Sequence, residues 1–301
     1  MPRTIRSAIK SIAYKIPVIS HIMAMHGDIQ HLATIVPDIR NLTDLLREDY
    51  LARLLDQDER FKAPLNLNRF ERQVFSQNGE DGIIEEIFKR IGVTNKYFVE
   101  FGVGNGLENN TLYLLMKEWS GAWIEGSGSN CSEIAARFRS TLINERVLVK
   151  NAHITSENIG SLLKELDVPV EFDLLSIDID RNDYWVWKAI KDHRPRVVVI
   201  EYNALFPPGV KWIIPYNPDA VWDRTTYFNA SLESLGALAL RKGYNLVVCN
   251  LTGVNAFFVR NDLGYGKFQE PFTTEQHYQP ARYHLIAKFG RQRGTGDYLV
   301  R

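Results

Sequence analysis

Two aspartates follow an apolar run in the segment LLSIDIDRNDYW, which covers residues 174–185. Asp178 and Asp180 are two residues apart, and alternate side chains of a β-strand lie on the same face of the sheet. Glu201 and Asn203 have the same spacing at the end of the next apolar run, in IEYN. Neighbouring parallel strands lie about 4.8 Å apart, so these four oxygen-bearing side chains are predicted to meet at one edge of a sheet. Open α/β sheets bind their ligands at that edge.

Clustered carboxylates of this kind serve metal binding or proton transfer. Mg²⁺ is bound by one or two carboxylates and completes its shell with water or substrate oxygens, which makes Asp178, Glu201 and Asn203 candidate metal ligands. A bound ion would hold two vicinal hydroxyls of a substrate and lower the pKa of one of them. Without an ion Asp178 is the candidate general base, and Asp178, Asp180 and Glu201 are the catalytic candidates in either case. The structural alternative is that these acids cap helix N-termini or pair with nearby arginines such as Arg181.

A glycine-rich segment, FVEFGVGNGLENNT, lies upstream of the acids. Gly102, Gly104 and Gly106 follow a predicted strand and precede a predicted helix, where glycine lets the backbone approach a ligand closely. The dinucleotide-binding pattern requires a further glycine at position 107, where this chain has Leu107. About 20 residues further on, Glu125 ends the next strand and is placed to bind a ribose diol. The acidic, amide-rich helix start suits a cationic ligand better than a diphosphate, and a plain tight turn is the alternative.

Short apolar runs alternate with helical patterns from about residue 70, which predicts a parallel sheet with helices on both faces. The predicted strands are Tyr97–Phe101, Ala122–Glu125, Val147–Lys150, Phe172–Asp178, Val197–Tyr202, Asn245–Cys249 and Ala256–Arg260. The predicted helices are Gly82–Ile91, Thr111–Trp119, Cys131–Leu142, Asn158–Leu166, Tyr184–Asp192 and Ser231–Lys242. Only residues 250–255 separate the last two strands, too few for a parallel crossover. The seventh strand is therefore predicted to run antiparallel to the sixth, and the polar remainder from about 262 is predicted to be a surface tail.

The N-terminal part of the chain has helical periodicity. Apolar residues recur at spacings of three and four between Ile22 and Ile39, and Pro37 is expected to break or kink the helix. We interpret this part as a helix that packs either on its own domain or on a second subunit. In the second case the chain would form a homo-oligomer. Contact with a membrane surface is the less favoured alternative. The predicted division is a helical extension 1–65, a main domain 66–265 and a tail 266–301.

Composition excludes some classes of function. Lys and Arg number 36, as do Asp and Glu, so the balanced charge argues against nucleic-acid binding through bulk charge. Cys131 and Cys249 lack the spacing of metal ligands and are predicted to be free thiols in a reducing compartment. No apolar run reaches the length of a membrane span, and we predict a cytoplasmic protein.

Four features together resemble the class I S-adenosylmethionine-dependent methyltransferases over about residues 70–262. They are the first predicted strand, the glycine loop that follows it, the acid Glu125 placed to bind a ribose, and the final antiparallel hairpin. Five blocks are more closely similar to the FkbM-type branch of that family. They are SQNGEDGIIEEIF (76–88), NAHITSENI (151–159), LLSIDIDRNDYWVWKAI (174–190), VVVIEYN (197–203) and FNASLESLGALALRKGYNLVVCNLTGVNAFFVRNDL (228–263).

This resemblance implies a Rossmann-like sheet of seven strands with one reversed, and S-adenosyl-L-methionine as cofactor. It implies that the methionine and sulfonium end is lined by Glu100, Gly102, Gly104 and Gly106, that Glu125 binds the ribose, and that Asn151, Ala152 and His153 lie beside the adenine. Enzymes of this branch are typically O-methyltransferases of sugars and natural products. The expected function is thus methylation of a hydroxyl of a sugar, glycan or glycosylated metabolite, as in polysaccharide biosynthesis. Metal-dependent sugar methyltransferases of this fold use acids from the same two strand ends, so Mg²⁺ is a candidate cofactor.

The segment ALFPPGVKWIIPYNPDAVWDRTTYF, residues 204–228, is longer than most connections in a compact domain. Its flat rings suit the apolar faces of sugars, and we predict a lid over a sugar or glycan acceptor, formed by Trp212, Tyr216, Trp222 and Tyr227. A well-packed surface loop is the alternative. Two other functions stay open at this point: a nucleotide-dependent oxidoreductase or epimerase, and a non-catalytic scaffold with a methyltransferase fold.

Overall fold

The computed structural model describes residues 17–139 and 146–285. The chain divides into two compact units, with the boundary between Ala52 and Arg53. Within the described residues, no helix combines the length and the apolar character needed to cross a membrane.

Helix α1 (Pro17–Gln57) is 41 residues long and contains Pro37. Of the two expected effects of Pro37, a break or a kink, the break is therefore not seen. Proline at this position removes one hydrogen bond, to the carbonyl of Ala33, while the turns on both sides keep theirs.

The second unit is built on a seven-stranded sheet. Its strands are β1 (Tyr97–Phe101), β2 (Ser120–Glu125), β3 (Val147–Asn151), β4 (Glu171–Ile177), β5 (Arg194–Glu201), β6 (Tyr244–Cys249) and β7 (Asn255–Arg260). They lie in the order β3-β2-β1-β4-β5-β7-β6. β7 runs antiparallel to both of its neighbours, and the other adjacent pairs are parallel. The predicted seven-stranded, Rossmann-like sheet with its reversed seventh strand is confirmed.

Helices cover both faces of this sheet, as predicted. They are α2 (Glu80–Ile91), α3 (Leu112–Met116), α4 (Gly128–Arg137), α5 (Ile159–Glu165), α6 (Asp183–Ala189), α7 (Leu232–Lys242), α8 (Asn261–Gly264) and α9 (Thr274–His277). Successive strand residues alternate between two apolar cores: Leu175 belongs to the core that includes residues of α5, α6 and α7, and Leu174 to the core that includes residues of α2, α3 and α4. Because both faces are covered, ligands reach the sheet at its carboxyl edge.

Residues 262–285 form part of this unit, so the prediction of a surface tail is wrong for them. Phe268 is 1% exposed and Gln279 is 1% exposed. The hydroxyl of Tyr202 donates to the carbonyl of Gln279 at 2.6 Å, and the amide of Arg282 donates to the carbonyl of Thr252 at 2.8 Å. The polar composition concealed this packing, because much of it consists of hydrogen bonds to backbone. Residues 286–301 of the predicted tail lie outside the described residues.

Candidate active site

A cavity of about 950 Å³ opens at the carboxyl edge of the sheet. Five consecutive strands in the sheet order end on it, together with the loop after β5 and the segment after α9. Its lining includes Gly102 and Gly104 after β1, Glu125 of β2, Ala152 and His153 after β3, Asp178 and Asp180 after β4, Glu201 of β5, Trp222 and Arg224 of the loop, and Tyr283. The predicted glycine loop, ribose acid and acid cluster therefore border one space.

The glycine loop has the geometry that the sequence predicted at two positions. Gly102 has a φ of 72°, and a Cβ there would lie 1.6 Å from the carbonyl oxygen of Asp178. Gly104 has a φ of 57°, and a Cβ there would meet no atom within 4 Å. Glycine is thus required at 102 by close backbone packing, and Gly104 leaves backbone accessible to a ligand. Gly106 lies against Phe138 and does not border the cavity.

Glu125 is held in place by the backbone around it. Its Oε2 accepts a hydrogen bond from the amide of Gly104 at 2.8 Å, and its Oε1 accepts one from the amide of Ser127 at 2.8 Å. These contacts fix the carboxylate at the end of β2, between the glycine loop and the start of α4. This is the position from which a carboxylate accepts hydrogen bonds from a ribose diol.

Glu100 has a positioning role in the segment after the glycine loop. Its carboxylate accepts hydrogen bonds from the amides of Asn110 and Thr111 and from the side chains of Asn109, Thr111 and Ser176. Burial raises the pKa of Glu100, although these hydrogen bonds oppose the rise. Both oxygens therefore order the turn before α3, and the predicted contact of Glu100 with a ligand stays a prediction.

A smaller chamber of about 190 Å³ adjoins the glycine loop. Its lining includes four acidic residues, Glu80, Glu100, Glu108 and Asp178, and among its amides are Asn78, Asn109 and Asn255. The Oδ1 atoms of these three asparagines have no hydrogen-bond donor. No lysine or arginine is among the described residues that line the chamber. A space bordered by carboxylates and unpaired acceptors fits an ammonium group and does not fit a phosphate.

Residues at the end of β3 and just after it contact two different parts of the site. Ala152 and His153 border the large cavity, and their predicted contact with adenine stays a prediction. The side chain of Asn151 instead donates to the carbonyl of Glu125 at 2.8 Å and ties the ends of β2 and β3 together. His153 Nε2 lies 2.6 Å from the carbonyl oxygen of Pro218, so this edge is also joined to the loop after β5.

Asp178, Asp180 and Glu201 form a carboxylate cluster. One oxygen from each residue can be chosen so that the three lie within 4.8 Å of one another. Burial, followed by the nearby carboxylates of Asp183 and Asp180, raises the pKa of Asp178 well above its usual range. Burial and then Asp178 do the same for Glu201. This concentration of charge favours a bound proton or a divalent cation at neutral pH.

Asp183, which was not among the predicted catalytic residues, is fully buried beside this cluster. Its Oδ1 accepts a hydrogen bond from the amide of Ile179 at 3.0 Å, and its Oδ2 has no partner. Burial is the main reason that the pKa of Asp183 rises to about 7.

The structure places Asn203 away from the role of metal ligand. Its Nδ2 donates to the carbonyls of Thr226 and Phe228, each at 3.0 Å, and its Oδ1 accepts from the amide of Leu205 at 3.2 Å. The period-two rule holds only within a strand, and β5 ends at Glu201. The side chain that contacts Glu201 is Asn229, whose Nδ2 donates to Glu201 Oε2 at 2.6 Å. Asn229 lies at the start of the block 228–263 that resembles the FkbM-type branch, and this resemblance was the sequence signal that could have identified it as a site residue.

The four aromatic residues predicted to form a lid separate into two groups. Trp222 borders the cavity, is 42% exposed and donates from its indole N–H to the carbonyl of Thr225 at 2.7 Å. Trp212, Tyr216 and Tyr227 do not border it.

These three residues stabilise the loop itself. Trp212 stacks on Phe206 with ring centroids 4.7 Å apart, and Tyr227 packs edge-on against Trp212. The hydroxyl of Tyr216 accepts a hydrogen bond from the amide of Ser156 at 3.1 Å. The well-packed loop therefore also forms one wall of the cavity, which includes Arg224, Thr225, Thr226 and Phe228.

No protein-family model matches the chain, and no curated protein matches it. Solved structures overlap it at low identity. A proposed caffeoyl-CoA O-methyltransferase from Staphylococcus aureus is 13% identical, with a TM-score of 0.44, and the match covers 71% of this chain and 99% of that one. An S-adenosylmethionine-dependent methyltransferase from Clostridium acetobutylicum is 12% identical, with a TM-score of 0.36 and coverages of 71% and 98%. At these scores, the function has to be inferred from the residues of this chain.

Proposed function

We propose that this protein transfers a methyl group from S-adenosylmethionine to a hydroxyl oxygen of a sugar, a glycan or a glycosylated metabolite. One observation supports this function best. The chamber lined by carboxylates and unpaired amide oxygens adjoins the cavity that contains Glu125 and the carboxylate cluster. The two linings share Gln77, Gly102, Gly104 and Asp178. The predicted membership of the FkbM-type branch is part of this proposal.

The residues present fit this cofactor. Its ammonium group matches the chamber that has four acidic residues and three unpaired amide oxygens. Its ribose diol matches Glu125, and its adenine matches the edge formed by Ala152 and His153. When bound, the cofactor supplies an electrophilic methyl group.

The carboxylate cluster provides the base for this reaction. An alcohol is a weak nucleophile at neutral pH, and a positioned base contributes roughly 10²–10⁴-fold. Asp178 and Glu201 have raised pKa values, so either carboxylate can retain a proton taken from the acceptor hydroxyl. Asn229 orients Glu201 for this task through its 2.6 Å hydrogen bond.

A divalent cation is the second form of the same proposal. Asp178, Asp180 and Glu201 offer oxygens at a spacing suited to one ion, and these three replace the predicted set that included Asn203. With Mg²⁺ bound, the carboxylates would hold the ion and the ion would supply Lewis acidity to the acceptor hydroxyl. EDTA is expected to inhibit turnover and Mg²⁺ to restore it if the ion is used, whereas indifference to both supports the metal-free base.

The direct test combines binding and turnover. Calorimetry is expected to detect binding of S-adenosylmethionine and not of NAD. Mass spectrometry of a glycan panel is expected to find a product heavier by one CH₂. Glu201→Gln should lower turnover by roughly 10²–10⁴-fold with cofactor affinity nearly unchanged. Binding of NAD alone, or full activity of Glu201→Gln, would contradict the proposal.

The oxidoreductase or epimerase alternative is less consistent with the site. Leu107, which occupies the position of the missing glycine, is 5% exposed and packs in the core. The chamber also offers carboxylates where a pyrophosphate would require donors. A non-catalytic scaffold leaves the carboxylate cluster at the cavity without a role.

A further inference from the structure

Helix α1 has an exposed apolar seam. Seven of its side chains, each at least 44% exposed, recur at spacings of three, four or seven. They are Met25, Ile29, Leu32, Val36, Ile39, Leu46 and Tyr50. Thr43 fills the one position of the pattern that lies between Ile39 and Leu46. An apolar set of this size on a water-exposed helix indicates a surface that is covered in the functional molecule.

The period of the seam identifies the kind of partner. Alternating steps of four and three average 3.5 residues, which is the heptad repeat of a left-handed coiled coil. Three complete heptads, 29–35, 36–42 and 43–49, follow this repeat with Met25 and Tyr50 at its ends, and such a length is typical of a coiled coil. The partner is therefore another long helix with the same repeat.

The residue types select a second copy of this chain. In heptad notation the a positions are Ile29, Val36, Thr43 and Tyr50, and the d positions are Met25, Leu32, Ile39 and Leu46. β-Branched residues at a with leucine at d favour two parallel strands. In a parallel pair, Thr43 faces Thr43 in one layer. Pro37 falls at a b position, outside the seam, so the pair accommodates it.

The charge of the helix argues against a lipid surface as the partner. Residues 17–57 include three arginines and six acids, so this segment is negative, whereas binding to anionic membranes requires a basic polar face. We propose that α1 dimerises with α1 of a second copy as a parallel, two-stranded coiled coil over Met25–Tyr50.

A matched pair of substitutions tests the seam in the full-length protein. Ile39 and Leu45 are 58% and 64% exposed, but only Ile39 is a seam residue. Ile39→Lys is expected to raise the dimer dissociation constant on the order of a hundredfold, since each copy loses a buried side chain. Leu45→Lys should leave it unchanged. Sedimentation velocity over a concentration series measures both.

A second measurement tests the parallel orientation and does not depend on the stability of the lysine variant. Under mild oxidation, Thr43→Cys is expected to form a disulfide-linked dimer, because a residues face each other in a parallel pair. Glu48→Cys, on the outer face, should not. A monomeric wild type, equal effects of the two lysine substitutions, or no cross-link at position 43 would overturn the proposal. A wild-type monomer that sediments with phosphatidylglycerol vesicles would identify a membrane surface instead.

Discussion

Asp183 shows most clearly how single residues set the electrostatics of this site. Its side chain is fully buried, one of its oxygens has no partner, and its pKa is raised to about 7. The pKa values of Asp178 and Glu201 are raised for the same primary reason, burial. In all three, the folded protein binds a proton more tightly than the unfolded chain does. Stability contributed in this way is present at low pH and is lost as pH rises through the folded pKa.

The first prediction follows from that sign. In EDTA, the free energy of unfolding of the wild type is expected to fall between pH 4 and pH 7. Asp183→Asn should reduce this fall by roughly 2–4 kcal/mol, since a buried carboxyl no longer has to ionise. Urea unfolding at both pH values measures the difference. Asp219→Asn, at an exposed site, is the control, and an identical pH dependence of Asp183→Asn and wild type would contradict the assignment.

Glu125 carries the second prediction at the residue scale. Glu125→Ala is expected to weaken S-adenosylmethionine binding by roughly 10–100-fold, because it removes charged hydrogen bonds to the ribose and the restraint on Gly104. Calorimetry gives the affinity. Glu133→Ala, which removes an ion pair between a half-exposed glutamate and Arg137, should not change it. Unchanged affinity of Glu125→Ala would remove the ribose assignment.

At the scale of elements, the loop after β5 is positioned by polar contacts to its backbone. Asn203 holds the carbonyls of Thr226 and Phe228, and Trp185 donates to the carbonyl of Ile214 at 2.8 Å. The loop therefore presents Trp222 to the cavity as part of a fixed wall. Its aromatic composition predicted a lid, with a well-packed surface loop as the alternative, but the composition did not show which rings face the cavity.

Substitution of Asn203 tests whether its side chain holds the loop through hydrogen bonds or binds a metal ion. Asn203→Asp keeps an oxygen ligand but removes both donated hydrogen bonds, and it should lower kcat/KM for the acceptor roughly as much as Asn203→Ala, by about tenfold or more. Cofactor affinity should stay near that of the wild type. Steady-state kinetics and limited proteolysis of the loop report the effect, and full activity of Asn203→Asp alone would restore the ligand interpretation.

At the scale of the whole catalytic unit, the segment after β7 completes the site. Phe268 is inserted in the core, and Tyr283 borders the cavity, where burial and Glu201 raise its pKa to about 12. The unit therefore extends through residue 285 among the residues that the structure describes.

Phe268 tests this extension. Phe268→Ala is expected to lower the free energy of unfolding by about 3–5 kcal/mol, because it leaves a cavity in the core. Tyr265→Ala, at a side chain that is 90% exposed, should change it by less than about 0.5 kcal/mol. Thermal or urea unfolding compares the two. Equal, small effects would show that the segment is dispensable for stability.

The sequence by itself determined the sheet, the covering helices, the reversed last strand, and the placement of Glu125, Asp178, Asp180 and Glu201 at strand ends. These features depend on local periodicity and on the length of connections, and both can be read from a continuous stretch of the sequence. The tertiary structure alone decided the direction of side chains beyond the strand ends. There the period-two rule no longer applies, and contacts distant in sequence select the conformation. For this reason the sequence did not predict that Asn203 donates hydrogen bonds to the loop or that Asn229 donates to Glu201. It also did not predict that, of the four selected aromatic residues, only Trp222 borders the cavity.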